Sequence, residues 1–353
     1  MDNKSTKVLL ISPLPPPLGG ISSWTERYIE WCNLQKISIE VVNSAVIGGR
    51  VDKINSKISI IDEMNRTVKI LNMLYSKIKK HKPKIVHLNS SCGKFGIFRD
   101  YLVAIISKLF KIPLIVHFHC NIKDQVSDKF SKLILKLLVR LGNYIFVLNS
   151  DSYNFIKDMC KSNLKIIPNF IDYNWINNGG KIINKKVEKI AYIGHIRTEK
   201  GIEDIINVSK CFPKIEFILA GKMMLDNNII NYNNVKFIGE IDSDLVKELL
   251  DSCDIFLFPS KSEGFSISLL EAMARGLPII TTPVGASADM IEDNGGIIVN
   301  IGNVDDIASA INKLKNRDER EKMSKWNIEK VERKYSTNRV LEIINEVYEE
   351  ISC

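Results

Sequence analysis

The sequence predicts an α/β protein with two doubly wound parallel sheets, one in each half of the chain. Three observations predict this fold class. Short runs of apolar, β-branched residues alternate with helical patterns along the whole sequence. These runs are continuously apolar, which is typical of parallel strands that are buried on both faces of a sheet. The length of 353 residues corresponds to about two domains, each able to bury a core.

The predicted strands fall into two series of six. In the first half they are 7–12, 37–43, 85–89, 114–119, 144–149 and 164–167. In the second half they are 189–194, 215–220, 235–238, 255–259, 278–281 and 297–299. Helical patterns separate the strands, and two such βα series in succession predict two Rossmann-like units. From 304 to 353 the pattern is helical, and a final helix is predicted near 338–351.

A change in composition marks the predicted boundary between the units. The stretch 171–187 is rich in Asn, Gly and Lys and lacks the periodicity of a core element. It is therefore predicted to be a linker between a first domain at 1–170 and a second domain at 188–335. The C-terminal helix, 336–353, is expected to pack back towards the first domain.

Composition and charge exclude several classes of protein. Apolar residues make up 45% and charged residues 25%, ordinary values that exclude disordered and integral-membrane classes. The formal net charge of +8 is a sum of +14 in residues 1–170 and −6 in residues 171–353. The seven cysteines contain no CxxC pair and are typical of reduced thiols. With no signal-peptide pattern at the start, a cytoplasmic protein is expected.

Two predicted helices contribute to the basic charge of the first half. One has Lys129, Lys132, Lys136 and Arg140 on one face and Phe130, Leu133, Ile134, Leu137 and Leu138 on the other, which is interpreted as the core face. The second spans 66–82. Ordinary solvated faces explain both helices equally well. Two such faces in one basic domain nevertheless favour an anionic membrane surface, and a peripheral location on the inner face of the cell membrane. No motif supports nucleic acid as a partner.

Two loops that follow predicted strands carry groups suited to an anion. Gly19 and Gly20 precede the first helix, where glycine lets a backbone approach a ligand and the helix N-terminus attracts negative charge. The loop lacks the G-x-G-x-x-G pattern of dinucleotide enzymes. In the second half, His195, Arg197 and Lys200 lie at the carboxyl edge of the predicted sheet, where cations suit a diphosphate. A simple chain-reversing turn and a solvated charged loop are the respective alternatives.

The segment 258–278 carries two glutamates. Glu263 lies in a glycine-containing loop, and Glu271 lies eight positions later inside an apolar helical run. A carboxylate flanked by apolar surface requires a partner or a ligand. A sugar is a suitable ligand, since one carboxylate accepts hydrogen bonds from two hydroxyl groups. A Glu271 that faces solvent is the alternative.

With these motifs, the chain resembles the retaining glycosyltransferases of family 4. The resemblance rests on Glu263, Glu271, the Ala-Met-Ala at 272–274, Gly276 and Pro278, together with Gly19, Gly20, His119, Gly194, Lys200, Gly201, the Pro-Asn-x-x-Asp at 168–172 and the turns at 283–285 and 293–295. It implies the GT-B architecture, in which two Rossmann-like domains face each other across a cleft. It also implies transfer of a sugar from a nucleotide diphosphate to an acceptor hydroxyl, with retention at the anomeric carbon and without a metal.

The resemblance assigns roles to residues. His119, Glu263, Lys200 and Arg197 are implied to be catalytic, and Gly19, Gly20, Gly194, His195, Gly264, Phe265 and Glu271 are implied to bind the nucleotide sugar. His195 stands where the family has an arginine, and an imidazole binds a diphosphate more weakly than a guanidinium. The anion contact is therefore divided between His195 and Arg197. The donor is a substrate, and no cofactor is expected. A uridine diphosphate sugar is preferred to a guanosine diphosphate sugar.

The loop 89–99 resembles the first-domain loop of bacterial surface-polysaccharide transferases. Lys94 and Arg99 are expected to contact an acceptor phosphate, and His117 is a further candidate for the acceptor pocket. The expected partners are a nucleotide sugar, a glycan or polyprenyl-diphosphate-linked acceptor, and an anionic membrane. Two other functions remain open: a non-catalytic GT-B binding or scaffold subunit, and a nucleotide-sugar epimerase on the same fold.

Overall fold

The computed structural model describes residues 6–16, 19–45, 60–225 and 233–352. The chain divides into two compact units, the first comprising residues 1–168 and 341–353 and the second comprising residues 169–340. Each unit contains a parallel sheet of six strands. Two doubly wound sheets, the predicted fold class, are thereby confirmed.

The first sheet reverses its strand order next to its first strand. Its strands are β1 (Lys7–Ser12), β2 (Ser38–Asn43), β3 (Ile85–Ser90), β4 (Leu114–Phe118), β5 (Tyr144–Val147) and β6 (Asn163–Ile166). The helices are α1 (Gly20–Leu34), α2 (Ile60–His81), α3 (Lys94–Leu109), α4 (Ile122–Gln125), α5 (Lys129–Leu141) and α6 (Ser150–Ile156). The spatial order β2-β1-β3-β4-β5-β6 makes the carboxyl ends of β1 and β3 a switch point, where such sheets bind ligands.

The second sheet has its switch point between its first and fourth strands. Its strands are β7 (Lys189–Ile193), β8 (Glu216–Ala220), β9 (Val235–Gly239), β10 (Ile255–Phe258), β11 (Ile279–Thr281) and β12 (Gly296–Ile298). The helices are α7 (Ile202–Ser209), α8 (Ser243–Ser252), α9 (Ile267–Ala274), α10 (Ser287–Ile291), α11 (Val304–Lys313) and α12 (Arg317–Lys330). The last helix, α13 (Thr337–Ser352), begins in the second unit and belongs to the first unit from residue 341 onwards. The order β12-β11-β10-β7-β8-β9 places the ends of β7 and β10 side by side.

The predicted linker, 171–187, lies within the second unit. The Lys181 ammonium donates hydrogen bonds to the backbone oxygens of Leu250 and Asp251, each at 3.0 Å. The Asn184 amide donates to the carboxylate of Asp254 at 2.9 Å. Ile171, Trp175 and Ile176 are buried as well. Polar hydrogen bonds and a few irregularly spaced apolar side chains together attach this segment, so hydrophobic periodicity does not reveal its packing.

The predicted core face of α5 is wrong at two positions. Ile134, Leu135 and Leu138 are buried, but Phe130 is 60% and Leu133 is 53% exposed. The core stripe of the helix follows 131, 134, 135, 138 and 139, so Phe130 and Leu133 fall beside the lysines on the solvent face. On α2, likewise, Val68 is 56% exposed. Apolar side chains therefore share the outer surface of the first unit with its basic charge.

Two further features bear on the predicted function. The carboxylate of Asp242 accepts hydrogen bonds from the backbone N–H groups of Asp244 and Leu245, both at 3.0 Å, so Asp242 caps α8. Within the part of the chain that the structure describes, no helix combines the length and the mean hydropathy of a membrane span.

Candidate functional site

Lys200 and Glu263 meet at the carboxyl edge of the second sheet. Lys200 ends the 3-10 turn Thr198–Lys200, which follows β7, and Glu263 lies in the loop that follows β10. These strands flank the switch point, where open α/β sheets bind their ligands. The Lys200 ammonium donates a short hydrogen bond to Oε1 of Glu263, and the two side chains are only 15% and 13% exposed. The structure thus joins two residues that lie 63 positions apart.

Glycines hold the loops of this edge in direct backbone contact. Gly201 has a φ of 73°, and a Cβ at this position would lie 2.1 Å from the carbonyl oxygen of Pro259. Gly285 has a φ of 55°, and its Cβ would lie 2.2 Å from the carbonyl oxygen of Glu263. A larger residue at either position would strain the backbone and separate the loops. These glycines therefore fix Lys200 and Glu263 relative to each other.

Tyr192 lies under this edge, and the sequence motifs do not single it out. Its hydroxyl donates a hydrogen bond to the backbone oxygen of His195 at 3.0 Å. A Cβ at Gly194, where φ is 152°, would lie 2.8 Å from the same hydroxyl. Burial raises the pKa of Tyr192, the Glu263 carboxylate raises it further, and Arg197 lowers it. The phenol therefore stays protonated, and both Glu263 and Arg197 lie within electrostatic reach of it.

Arg197 keeps a hydrogen-bond donor available. Its Nε lies 3.8 Å from Oε2 of Glu199, is shielded from water, and has no hydrogen-bond partner among the described residues. His195 lies exposed on the same loop. Of the two residues that the sequence proposes for the anion, Arg197 thus has an unpartnered N–H group among the described residues, and His195 is open to solvent.

The other predicted donor-binding residues lie on the same loop and the helix after it. Glu271 is half-buried on α9. The backbone oxygen of Gly264 accepts a hydrogen bond from the N–H of Ala286 at 2.9 Å. Phe265 is buried and packs edge-on against Tyr335, with ring centroids 5.8 Å apart. The side chain of Phe265 therefore belongs to the core, and its backbone is the part within reach of a ligand.

A cavity of about 640 Å³ lies at the switch point of the first sheet. The first turns of α1 and α3, which follow β1 and β3, form two of its walls, and α2 contributes a third. The predicted ligand-binding residues Gly19, Gly20, Lys94 and Arg99 all line this cavity. The structure thus brings together the glycine loop and the predicted acceptor cations.

The two predicted acceptor cations differ in their pairing. Arg99 is buried, and its Nε and Nη2 both donate to Oδ1 of Asp100, at 3.0 and 2.8 Å. Lys94 is 73% exposed, with its ammonium 3.9 Å from a carboxylate oxygen of Asp128. A buried partner therefore already neutralises Arg99, whereas Lys94 remains open to solvent.

The glycines of this cavity differ from those of the second unit. Gly19 has an extended backbone with a φ of −171°. A Cβ at Gly20 would meet no described atom within 4 Å, and Gly20 does not adopt a positive φ. Neither backbone conformation nor packing within the described residues therefore requires glycine at position 20. The absence of a side chain there instead leaves the first turn of α1 open to the cavity.

Three histidines stack in the core of the first unit. The ring centroids of His87 and His117 are 5.5 Å apart, and those of His117 and His119 are 4.0 Å apart. Nδ1 of His87 shares a short hydrogen bond with the hydroxyl of Tyr348. Burial lowers the pKa of His87 and of His119 to about 3, and lowers that of His117 well below its ordinary value. All three imidazoles are therefore neutral near pH 7.

The two histidines predicted for the site differ in exposure. His117 is fully buried, whereas His119 is half-buried. Nε2 of His119 has no hydrogen-bond partner among the described residues. Neither residue lines the cavity. A neutral ring with an unpartnered nitrogen suits His119 to hydrogen bonding with a ligand.

Sequence motifs overlook two residues of the first cavity. Arg66 and Asn89 both line it. Asn89 lies one residue before the end of the buried strand β3, and a polar residue near the carboxyl end of a buried strand is a signal that could have identified it from the sequence. Arg66 lies on α2 among several basic residues, and nothing in the sequence separates it from them.

The chain is similar in sequence to known glycosyltransferases. Residues 175–330 match the family described as glycosyl transferases group 1. The capsular polysaccharide biosynthesis glycosyltransferase CapM of Staphylococcus aureus is 24% identical over 355 residues, which cover 91% of this chain and 92% of CapM. The UDP-Gal:alpha-D-GlcNAc-diphosphoundecaprenol alpha-1,3-galactosyltransferase of Escherichia coli is 27% identical over 290 residues, covering 72% of this chain and 71% of that enzyme.

The fold is shared with solved structures. The sucrose-phosphate synthase of Thermosynechococcus elongatus superimposes with a TM-score of 0.77 at 14% identity, covering 98% of this chain and 99% of that one. At this level of identity the likeness concerns the fold alone, and it confirms the GT-B class expected from the sequence.

Proposed function

We propose that the protein is a retaining glycosyltransferase of surface-polysaccharide synthesis, since residues 175–330 match the glycosyl transferases group 1 family. It moves a sugar from a nucleotide diphosphate to a hydroxyl of a glycan or lipid-linked acceptor, and it needs no metal. The relatives named for capsule synthesis and for a diphosphoundecaprenol acceptor support this assignment.

The observation that carries the proposal is the half-buried ion pair of Lys200 and Glu263 at the switch point of the second sheet. In the free enzyme each charge neutralises the other. When a nucleotide sugar binds, the ammonium stabilises charge that builds on the leaving diphosphate, and the carboxylate accepts hydrogen bonds from sugar hydroxyls. Arg197, with its free Nε, adds a second cation for the diphosphate. Glu271, one helix further on, binds the ribose hydroxyls.

Two cations at one edge replace the charge that a metal would supply. The carboxylate of Asp242, the first acidic residue of the Asp-Ser-Asp stretch, caps α8, which supports a metal-independent reaction. We assign the donor as a uridine diphosphate sugar, ahead of a guanosine diphosphate sugar. The E. coli relative is named for UDP-Gal, which agrees with this assignment.

The first unit is proposed to bind the acceptor and to dock on the inner face of the cell membrane. The four basic residues of α5 are exposed, and Phe130 and Leu133 lie exposed among them. At about 1 kcal/mol per basic residue near an anionic leaflet, four charges enrich the protein at the surface by at most roughly a thousandfold. Such binding is reversible docking rather than anchoring.

A panel of nucleotide sugars tests the donor site. Binding raises the melting temperature by mass action, so the donor that gives the largest rise identifies the nucleotide and the sugar. Transfer is then measured with that donor and a lipid-linked acceptor, with and without EDTA. Nuclear magnetic resonance of the product reports whether the anomeric configuration is retained.

Variants of the pair test the mechanism. Lys200→Ala and Glu263→Gln should each lower kcat by about a hundredfold or more, since each removes one preorganised group from the transition state. Lys261→Ala is the matched control, because it removes an exposed cation from the same loop. Release of nucleotide diphosphate only in the presence of acceptor excludes an epimerase. If donor binds but no donor is ever hydrolysed or transferred, the protein is a binding subunit and the proposal is wrong.

A further inference from the structure

We propose that the cavity of the first unit binds the diphosphate of a lipid-linked acceptor and that Arg66 is the residue that holds it. The inference rests on the proposed function, because it names the acceptor class of the same reaction. It also moves the main phosphate contact from Arg99, which the sequence predicts, to a residue that no motif marks.

Arg66 is held in place, and its ion pair with Glu63 is longer than the ion pair of Arg99 with Asp100. Its Nη2 donates a short hydrogen bond to the backbone oxygen of Ser44. Its Nη1 lies 3.4 Å from both carboxylate oxygens of Glu63, beyond the range of about 2.7–2.9 Å that is usual for charged pairs. Its Nε is shielded from water and has no hydrogen-bond partner among the described residues. The guanidinium is thus positioned in advance, with a donor left for a ligand.

A second guanidinium adds to the positive potential at this site. Burial lowers the pKa of Arg66 and the charge of Arg99 lowers it further, whereas the carboxylates of Glu63 and Asp100 raise it. The two arginines therefore repel each other across the cavity wall, even though Asp100 neutralises Arg99 locally. A dianionic diphosphate between them would relieve this repulsion, and Lys94 would meet it from the open side.

Two helix N-termini line the same cavity. The helices α1 and α3 begin after Gly19 and Gly93, and neither N-terminus has a side-chain cap. The first turns of both helices line the cavity, and their first N–H groups have no acceptor within their own helix. Such groups bind phosphate, the more so where basic side chains are present. A Cβ at Gly93 would also meet no described atom within 4 Å, so glycine leaves this wall open as well.

Exposed aromatic side chains extend from the cavity. Phe95, which lines the cavity, is 41% exposed, and Phe98, one turn further along α3, is 42% exposed. The contact between Lys94 and Asp128 brings the N-terminus of α5 alongside that of α3. Phe130, 60% exposed, lies in the first turn of α5. A hydrocarbon chain attached to the bound diphosphate would meet this apolar surface, which favours a lipid diphosphate over a free one.

Asn89 offers a contact for the sugar that the diphosphate carries. It is 3% exposed and lines the cavity. Its amide donates to Oγ of Ser12 at 2.9 Å, while its Oδ1 has no hydrogen-bond partner among the described residues. An unsatisfied buried acceptor is costly unless a ligand completes it. A hydroxyl of the acceptor sugar supplies the donor that Oδ1 needs.

Two acceptors that differ in charge test the role of Arg66. One carries a sugar on a diphosphate with a short isoprenoid chain, and the other carries the same sugar on a neutral alkyl chain. Arg66→Ala should raise KM for the diphosphate acceptor ten- to a hundredfold, while KM for the neutral acceptor and for the donor stays unchanged. Arg66→Lys should restore part of the loss, because an ammonium keeps the charge but not the planar fork. Lys69→Ala, on the same helix, is the matched control.

Equilibrium binding separates this inference from the proposed function. Inorganic pyrophosphate is titrated calorimetrically with UDP in excess, so that the donor site is filled. Binding that Arg66→Ala weakens at least tenfold supports the anion site, even if the wild-type protein transfers no sugar. The inference is overturned if Arg66→Ala and Lys69→Ala behave alike, if both acceptors lose affinity equally, or if UDP competes with the acceptor as well as an isoprenoid diphosphate does. Should Arg66→Ala not fold, Arg66→Lys is judged by the same criteria.

Discussion

Lowering the pH should destabilise the first unit through its buried histidines. Burial lowers the pKa of His87 to about 3 in the folded protein, whereas an unfolded histidine titrates near 6.5. Between these values the unfolded chain binds a proton that the folded chain does not. The stability that His87 contributes is therefore complete above pH 6.5 and is lost as the pH falls towards 3.

The size of the loss follows from the shift. A pH of 5 lies about 1.5 units below the pKa of the unfolded imidazole. This difference corresponds to a loss of about 2 kcal/mol in the free energy of unfolding through His87. His119, whose pKa is also lowered to about 3, adds a similar amount, and His117 acts in the same direction. Because folded proteins are stable by only about 5–15 kcal/mol, such a loss would unfold a marginal domain.

Hydrogen exchange under increasing urea measures this effect in the first unit alone. Exchange of the amides of β3 and β4 gives the free energy of opening at pH 7.5 and at pH 5. His87→Gln should lose about 2 kcal/mol less than the wild-type protein over this interval. His195→Gln removes an exposed histidine and is the control. An equal loss in the wild-type protein and in His87→Gln would refute the reasoning.

Two further predictions concern the surface of the first unit. Gly20→Ala should leave the melting temperature unchanged or slightly higher, since alanine is favoured by up to about 1 kcal/mol in a helix. The same variant should reduce transfer at least tenfold, because the methyl group intrudes on the cavity. Gly201→Ala should instead lower the melting temperature, and equal stability of the two variants would contradict the contrast between their backbones. Neutralising the four basic residues of α5 to glutamine should release the protein from vesicles containing 30% phosphatidylglycerol without changing its affinity for the donor; unchanged binding in a cosedimentation assay would remove the case for membrane docking through this helix. These are Lys129, Lys132, Lys136 and Arg140.

The strands and the site of the second unit could be predicted from the sequence for one physical reason. A parallel strand buried on both faces is a continuous apolar run, and ligands gather where such strands end. Lys200 and Glu263 each follow a strand of this kind, so local sequence places both at one edge. Their direct pairing could not be predicted, because it depends on glycine positions at which the Cβ of any other residue would collide with the neighbouring loop.

The outer surface of the first unit was harder to predict from the sequence. Hydrophobic periodicity identifies apolar positions but does not distinguish those that enter a core from those left exposed, as Phe130 and Leu133 show. Arg66 differs from its basic neighbours only through contacts made by tertiary folding. The segment 171–187 is attached by polar hydrogen bonds and by irregularly spaced buried residues such as Trp175 and Ile176, and neither has a periodic signature in a sequence.

The hydroxyl of Tyr348 has a consequence for biosynthesis. It forms a hydrogen bond of 2.6 Å with the hydroxyl of Tyr28, 320 positions earlier, and it also reaches His87. The first unit therefore lacks part of its interior until the ribosome has translated the entire second unit. During that time its nascent core is open where Tyr348 will insert, and partly folded chains of this kind are prone to aggregate or to engage chaperones. A fragment ending at residue 168 would consequently be a poor substitute for the first unit, and a graft of 341–352 onto such a fragment is the shorter route to an isolated acceptor domain.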